Sequence, residues 1–201
     1  MAVTSSNLVL GPATLYVAPT GSTEPTDSSV TPNGTTTPPG SPWTDVGGTD
    51  GGVTFEVDST YTDLAVDQVI MSVGARLTEL KMSVTAKLSE VTLANLNTAL
   101  NSIGVTSQGS GYETLDIEVT SAATQPTYAA LIIDGWAPLT SGGASALRRI
   151  IVRKVLAQAK VQLAYDKKSQ AAYDCTWQVY FVSDSINPVH IVDQTSLHTG
   201  F

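Results

Sequence analysis

Residues 75–100 constrain the fold of this chain more than any other segment, because a strand pattern passes directly into a helix pattern. Apolar and polar side chains alternate over residues 80–88, which places the apolar ones on one side of a β-strand. Leucines then recur at helical spacing and predict a short amphipathic helix over residues 92–100. These leucines are Leu93, Leu96 and Leu100. One helix beside strands, without a catalytic cluster, favours an architectural protein.

The other patterned segments predict strands, so the fold class expected is all-β. Residues 112–119 alternate, with Leu115, Ile117 and Val119 predicted to point inward. Residues 128–136 are more uniformly apolar, as is typical of a strand buried on both faces. Further strands are predicted in residues 8–17, 53–57, 147–156, 159–165 and 175–182. Together they predict a single domain over residues 1–183, a β-sandwich or barrel with one flanking α-helix.

Charge is sparse and unevenly distributed. Charged residues make up 14% of the chain, whereas about 25% is typical of soluble domains. Such a surface is either covered by other subunits or rich in exposed Thr and Ser. The net charge is −8, yet the second half carries a basic tract. Its members are Arg148, Arg149, Arg153, Lys154, Lys160, Lys167 and Lys168. The tract predicts a solvated face or a head-to-tail contact between copies, and nucleic-acid binding is less favoured.

Three segments do not fit a regular body of strands. Residues 19–42 are dense in Thr, Ser, Pro and Gly and predict a loop insertion on the surface. Residues 184–201 predict an extended C-terminal tail. Residues 58–74 hold too many apolar side chains for a solvated loop, so they form either an extra hairpin of the domain's own sheet or an arm that is buried in another subunit. Their apolar members are Leu64, Val66, Val69, Ile70, Met71 and Val73.

Motifs for chemistry are missing from the sequence. Cys175 is the only cysteine and is predicted to be buried, so no intrachain disulfide can form. His190 and His198 have no metal-ligand spacing, and the chain contains neither a phosphate-binding loop nor a nucleophile elbow. We therefore expect no enzyme activity, no cofactor and no metal. No apolar run approaches the ~20 residues of a membrane span. The N-terminus lacks signal-peptide features, which predicts a cytoplasmic site of residence.

Three stretches carry a resemblance to a known family. They are W-T-D-V-G-G-T-D-G-G-V-T-F-E-V (residues 43–57), R-L-T-E-L-K-M-S-V-T-A-K-L-S-E-V-T-L-A-N-L (76–96) and R-R-I-I-V-R-K-V-L-A-Q-A-K-V-Q-L-A-Y-D-K-K (148–168). With the last strand they cover roughly residues 10–182, and the order of parts resembles a phage major tail tube protein of the siphovirus type, with a long non-contractile tail. The segment over residues 19–42 departs from that pattern as an insertion.

The resemblance implies a structural virion protein that assembles with itself. In that family, six subunits form a ring whose inner strands join into a continuous barrel, and stacked rings form the tail tube through which DNA passes. Residues 58–74 would then be the stacking arm, the helix over 92–100 would flank the barrel away from the lumen, and the tail after Asp184 would lie along another subunit. The expected partners are other copies, the tape measure, terminator and distal tail proteins, and DNA in transit without tight binding. Assembly would take place in the host cytoplasm and the product would reside in the virion tail, with no membrane.

Two alternatives stay open. One is the inner tube of a contractile tail or a terminator of a related tail-like machine. The other is a soluble β-sandwich binding module, for instance for carbohydrate. A binding module would need exposed aromatic side chains, whereas Trp136 and Trp177 lie in strand patterns that predict burial and Trp43 opens a turn-rich loop.

Overall fold

The computed structural model describes residues 8–30, 38–117, 125–138, 146–158, 160–162, 165, 167 and 170–194. Ten strands and one α-helix occur in these ranges. They are β1 Thr14–Pro19, β2 Thr44–Asp45, β3 Thr49–Val66, β4 Val69–Leu88, α1 Leu93–Ala99, β5 Gly104–Gly109, β6 Tyr112–Ile117, β7 Ala129–Ala137, β8 Ala146–Ala157, β9 Tyr173–Val179 and β10 Val189–Asp193. The predicted all-β class with a single helix is therefore confirmed for the described part of the chain.

An eight-stranded antiparallel sheet forms most of the body, in the order β2-β1-β7-β8-β9-β4-β3 with β10 beside β8. One edge of β8 pairs with β7 along most of its length. The other edge is shared, since residues 148–152 pair with β10 and residues 155–157 pair with β9. The strand that pairs with this edge of β8 changes from β10 to β9 along its length. β8 therefore links the β1–β7 part of the sheet to the β9–β4–β3 part.

The main core lies where side chains of these two parts meet. Leu15, Leu131 and Val152 pack in one apolar cluster with Val84 and Trp177. β7 is buried on both faces, as its uniform apolar run predicted, because Ile132 contributes to a second cluster with Tyr16 and Trp43. Burying a large aliphatic or aromatic side chain stabilises a fold by about 1.5–3 kcal/mol, so both clusters matter for stability.

The helix begins where the sequence predicted, and Leu96 of the predicted stripe packs on the main core beside the buried Ala99. The Thr92 hydroxyl accepts a hydrogen bond from the Asn95 amide and so caps the helix N-terminus. The buried members are Asn95 and Ala99, whereas the leucine stripe is only half-buried. The Asn95 side-chain amide donates to the carbonyls of Val46 and Glu90, at 2.8 and 2.9 Å, and ties the helix to the turn before β3.

The hairpin of β5 and β6 forms a separate two-stranded sheet. Leu115 is half-buried, but Ile117 is exposed, so the prediction that both point into the core is wrong for Ile117. In the described residues β5 and β6 pair only with each other and not with the eight-stranded sheet, and Ile117 is not a member of its core clusters. Val119 lies outside the described residues.

Two segments predicted to be peripheral are bound to the body instead. Residues 19–30 belong to the predicted surface insertion, yet Val30 is buried and the Trp43 indole donates to the Thr23 carbonyl at 2.9 Å. The predicted tail begins as an extended segment, but its strand β10 pairs with β8 of the same chain. Residues 189–193 are therefore part of the chain's own sheet, and contact of the predicted tail with another subunit stays a prediction. Residues 31–37 and 195–201 lie outside the described residues.

Candidate assembly surface

The hairpin of β3 and β4 extends well past the body of the protein. β3 has 18 residues and β4 has 20, both far longer than the five or six of an average strand. The last pair that joins β4 to β9 is Ser83–Gln178. Beyond it, residues 57–82 are paired only across the hairpin itself, and we call them the projecting arm. At about 3.3 Å per residue, ten residues of β3 project by about 30 Å.

The sequence left two readings open for residues 58–74, and the single chain combines them. The segment is a hairpin continuous with the domain's own sheet. Its apolar side chains are nevertheless exposed, as an arm would have them. The six predicted members, all exposed, are Leu64, Val66, Val69, Ile70, Met71 and Val73. Burial of these side chains in a second subunit stays a prediction.

The apolar surface of the arm is larger than the predicted segment. Cross-strand pairs point to the same face, and the pairs Val53–Ala86 and Phe55–Val84 face the main core. The alternation continues along β3 through Val57 and Tyr61, which therefore extend the core face beyond the body. Exposed members of this extension are Val57, Tyr61, Leu77 and Leu80. The alternation that produces this stripe is visible in the sequence. The predicted segment, residues 58–74, was too short to include Val57, Leu77 and Leu80.

At its base the arm is attached to the body, because Gln178 Nε2 donates to the Met82 carbonyl at 2.9 Å and the Met82 side chain packs on the main core. Beyond this point, the contacts given for the described residues lie within the hairpin itself. The Ser72 hydroxyl donates to the carbonyls of Leu64 and Gly74, and the Thr78 hydroxyl donates to the Thr60 carbonyl at 3.2 Å. The ion pair between Lys81 and Glu79 is well exposed, and such pairs contribute little. An isolated two-stranded hairpin is at best marginally stable in water. The arm therefore gains order from any surface that covers its apolar face.

The outer edge of β3 is also unpaired within the described part of the chain. Long open edges expose backbone donors and acceptors that pair readily with another strand. The sheet's other end is β2, which has two residues. One margin of the sheet thus offers a long docking edge, and the opposite margin offers a very short one.

The arginines of the basic tract form ion pairs that the sequence did not predict. Each of its arginines pairs with a carboxylate of its own chain: Arg148 with Asp193, Arg149 with Asp134 and Arg153 with Glu24. The partner carboxylate hydrogen bonds raise the pKa of Arg148 and of Arg153. These arginines are engaged inside the chain, and a head-to-tail contact through other members of the tract stays a prediction.

Lys154 of the same tract lies over the Tyr128 ring, 4.4 Å from its centroid. Lys160 and Lys167 are exposed, as a solvated face would have them, and Lys168 lies outside the described residues.

Groups that could perform chemistry are few in the described residues. Burial raises the pKa of the Cys175 thiol to about 12, so the reactive thiolate is scarce at neutral pH. The His190 ring lies 3.1 Å from an Asp27 carboxylate oxygen. No three potential metal ligands among His, Cys, Asp and Glu come together in these ranges. The one described helix is far too short to cross a bilayer.

No protein-family model matches the chain, and no curated protein is significantly similar to it. The projecting arm and the open edge of β3 therefore carry the functional argument.

Proposed function

We propose that this chain is the subunit of a phage tail tube, a structural virion protein that forms stacked hexameric rings around a DNA conduit. The observation that carries the proposal is the projecting arm, which exposes apolar side chains on both of its faces. Val57 and Tyr61 continue the core face into solvent, and Leu64 alternates to the opposite face. Monomeric proteins rarely leave contiguous apolar surface of this kind uncovered, and it marks interaction sites. The resemblance to phage tail tube proteins favours another copy of the chain as the partner of this surface.

The arm fits the role of a contact between stacked rings. Its length of about 30 Å allows it to reach beyond its own body. Burial of apolar surface is worth about 25 cal/mol per Å², so covering several large side chains offsets the entropy lost on association. The open edge of β3 supports a second contact, within the ring, in which strands of adjacent subunits pair into a shared barrel.

Electrostatics supports passage of DNA rather than retention. Each phosphate neutralised by Lys or Arg adds affinity for DNA. The chain has a net charge of −8, and the arginines of its basic tract are neutralised by its own carboxylates. A conduit lined by such subunits repels the backbone, which favours sliding during ejection. An inner tube of a contractile tail or a terminator would share this physics.

A carbohydrate-binding module is the rival from another class, and the tryptophans argue against it. Trp43 and Trp177 are buried and Trp136 is half-buried against Gly11, so none of the three presents an open stacking platform. We therefore rank the structural function first.

The double substitution of Val69→Asp and Ile70→Asp tests the arm. Both side chains are exposed in the single chain, so the fold should persist with unchanged circular dichroism. Two buried carboxylates would oppose docking of the arm, and we expect loss of stacked tubes in negative-stain micrographs. Val105→Asp is the matched control, because Val105 is 51% exposed and Val69 is 50% exposed. Normal tubes from the double variant would refute the role of the arm.

A further inference from the structure

A cavity of about 430 Å³ lies beside strands β7 and β8 and the residues that directly follow β1. Its floor is apolar and consists of Trp43, Ala130 and Ile151, which belong to the second buried cluster. Val182 and the exposed Ile186 extend this apolar lining to the surface. Pockets of ~300–1,000 Å³ with apolar walls and a few polar groups are typical of binding sites.

Hydrogen bonds join the residues at the rim of the cavity, whose charged members Glu24, Arg153 and Lys154 give a net positive charge. The Glu24 carboxylate accepts two hydrogen bonds from Arg153, at 2.5 and 2.9 Å, and so neutralises this guanidinium. The Thr20 hydroxyl donates to the Arg153 carbonyl at 2.8 Å and fixes the β1 side of the rim. Lys154 has no carboxylate at ion-pair distance within the described residues, and its ammonium group lies over Tyr128. The rim therefore has one excess cation above an apolar floor.

The tip of the projecting arm is acidic, opposite in charge to the cavity rim, and it exposes apolar side chains, like those of the cavity floor. The turn between β3 and β4 holds Asp67, and Val66 and Val69 pair directly behind it. Ile70 and Met71 follow and are exposed. No Lys or Arg occurs in residues 57–75, whereas Asp58, Asp63 and Asp67 do. An acidic turn in front of aliphatic side chains complements a cationic rim above an apolar floor.

A chain does not fill its own cavity with its own tip. None of the lining residues comes from the arm, and the Ile70 side chain is fully exposed. The donor surface and the receiving surface are different parts of the molecule, so contact between them is head-to-tail. Contacts of this type generate closed rings or open stacks rather than isolated dimers.

We infer that the arm tip of one copy docks in this cavity of a second copy, with Ile70 and Met71 against the apolar floor and Asp67 beside Lys154. The inference rests on the proposed self-assembly and names the surface that receives the arm.

Reversal of the charge at the rim tests the contact in the full-length chain. Lys154→Glu places a carboxylate opposite Asp67, and we expect the concentration needed for assembly to rise on the order of tenfold. Lys160→Glu makes the same change of charge at an exposed site away from the cavity and should assemble as wild type. Adding Asp67→Lys to Lys154→Glu should restore assembly.

Cross-linking supplies a second readout that does not depend on charge. Ile70→Cys and Ser22→Cys, prepared as separate chains and mixed under oxidising conditions, should give a disulfide-linked dimer only in the mixture. Cys175 is buried and should not interfere. Wild-type assembly by Lys154→Glu, or a mixture without the linked dimer, would overturn the docking site and leave the tube proposal intact. Failure of the wild type itself to assemble would overturn both.

Discussion

At the scale of single residues, the best-protected polar feature is the ion pair of Arg149 and Asp134. Their side chains are only 1% and 3% exposed, and both guanidinium–carboxylate hydrogen bonds are short, at 2.6 and 2.7 Å. A third contact, from Arg149 to the Ser29 hydroxyl, links β8 to the segment before residue 31. Removal of one partner from a buried pair leaves a charge without compensation, which is strongly destabilising.

Asp134→Asn should therefore lower the free energy of unfolding by about 3–5 kcal/mol. Urea denaturation monitored by tryptophan fluorescence would measure it. Asp193→Asn provides the comparison, because it removes the partner of the half-exposed Arg148 and should cost about 1 kcal/mol or less. Equal effects of the two substitutions would contradict the assigned burial.

The Cys175 thiol links stability to alkaline pH. Burial, aided by the neighbouring Asp174 carboxylate, raises its pKa to about 12 in the folded chain. The unfolded chain loses this proton nearer pH 9, so stability is full below that pH and falls as pH rises towards 12. Burial also raises the pKa of Tyr16 and of Tyr173, which acts in the same direction.

Alkylation of the thiol should accordingly be very slow in the native protein at pH 8 and rapid in urea. Mass spectrometry after iodoacetamide treatment would report both rates. Rapid labelling of the native chain would show that Cys175 is accessible.

At the scale of elements, the body and the arm of the β3–β4 hairpin differ in how they are stabilised. The proximal part pairs with β9 and contributes Val84, Ala86 and Leu88 to the core. Beyond Met82, the distal part is paired within the described residues only across the hairpin itself. The fold should therefore not depend on the arm.

Replacing residues 60–79 with an Asn-Gly turn between Ser59 and Leu80, which face each other across the hairpin, tests this independence. We expect a folded monomer whose free energy of unfolding stays within about 1 kcal/mol of wild type, because a shorter loop costs slightly less to close. Equilibrium urea unfolding would measure the difference. Unfolding of the shortened chain would show that the arm packs on its own body.

Local patterns predicted the elements well and their long-range partners poorly. Alternation over residues 80–88 and the leucine spacing over residues 92–100 are local signals, and the C-terminal half of β4 and the helix α1 lie where those signals placed them. The pairing of Arg153 with Glu24 joins residues 129 positions apart, and no local pattern contains it. Likewise, β10 looked like a tail because its partner β8 is distant in sequence. The apolar content of the arm was visible, but its continuity with the core face required the hairpin register.

At the scale of the whole molecule, three features belong together. An apolar arm projects from one margin of the sheet, the edge of β3 is open, and a cavity with a cationic rim lies elsewhere on the body. A single copy leaves all three without a partner, whereas the proposed head-to-tail series of copies would cover them. Low charge content fits such an assembly, because subunit interfaces are depleted of charged residues at their centres.

The most direct measurement is the state of association of the purified wild-type chain over a rising concentration series. Sedimentation velocity would follow the mass, and negative-stain electron microscopy of the same samples would follow the shape. If the proposed self-assembly is correct, monomers should convert to rings and stacked tubes as the concentration rises. A chain that stays monomeric at millimolar concentration, with its arm still exposed, would contradict self-assembly through the arm.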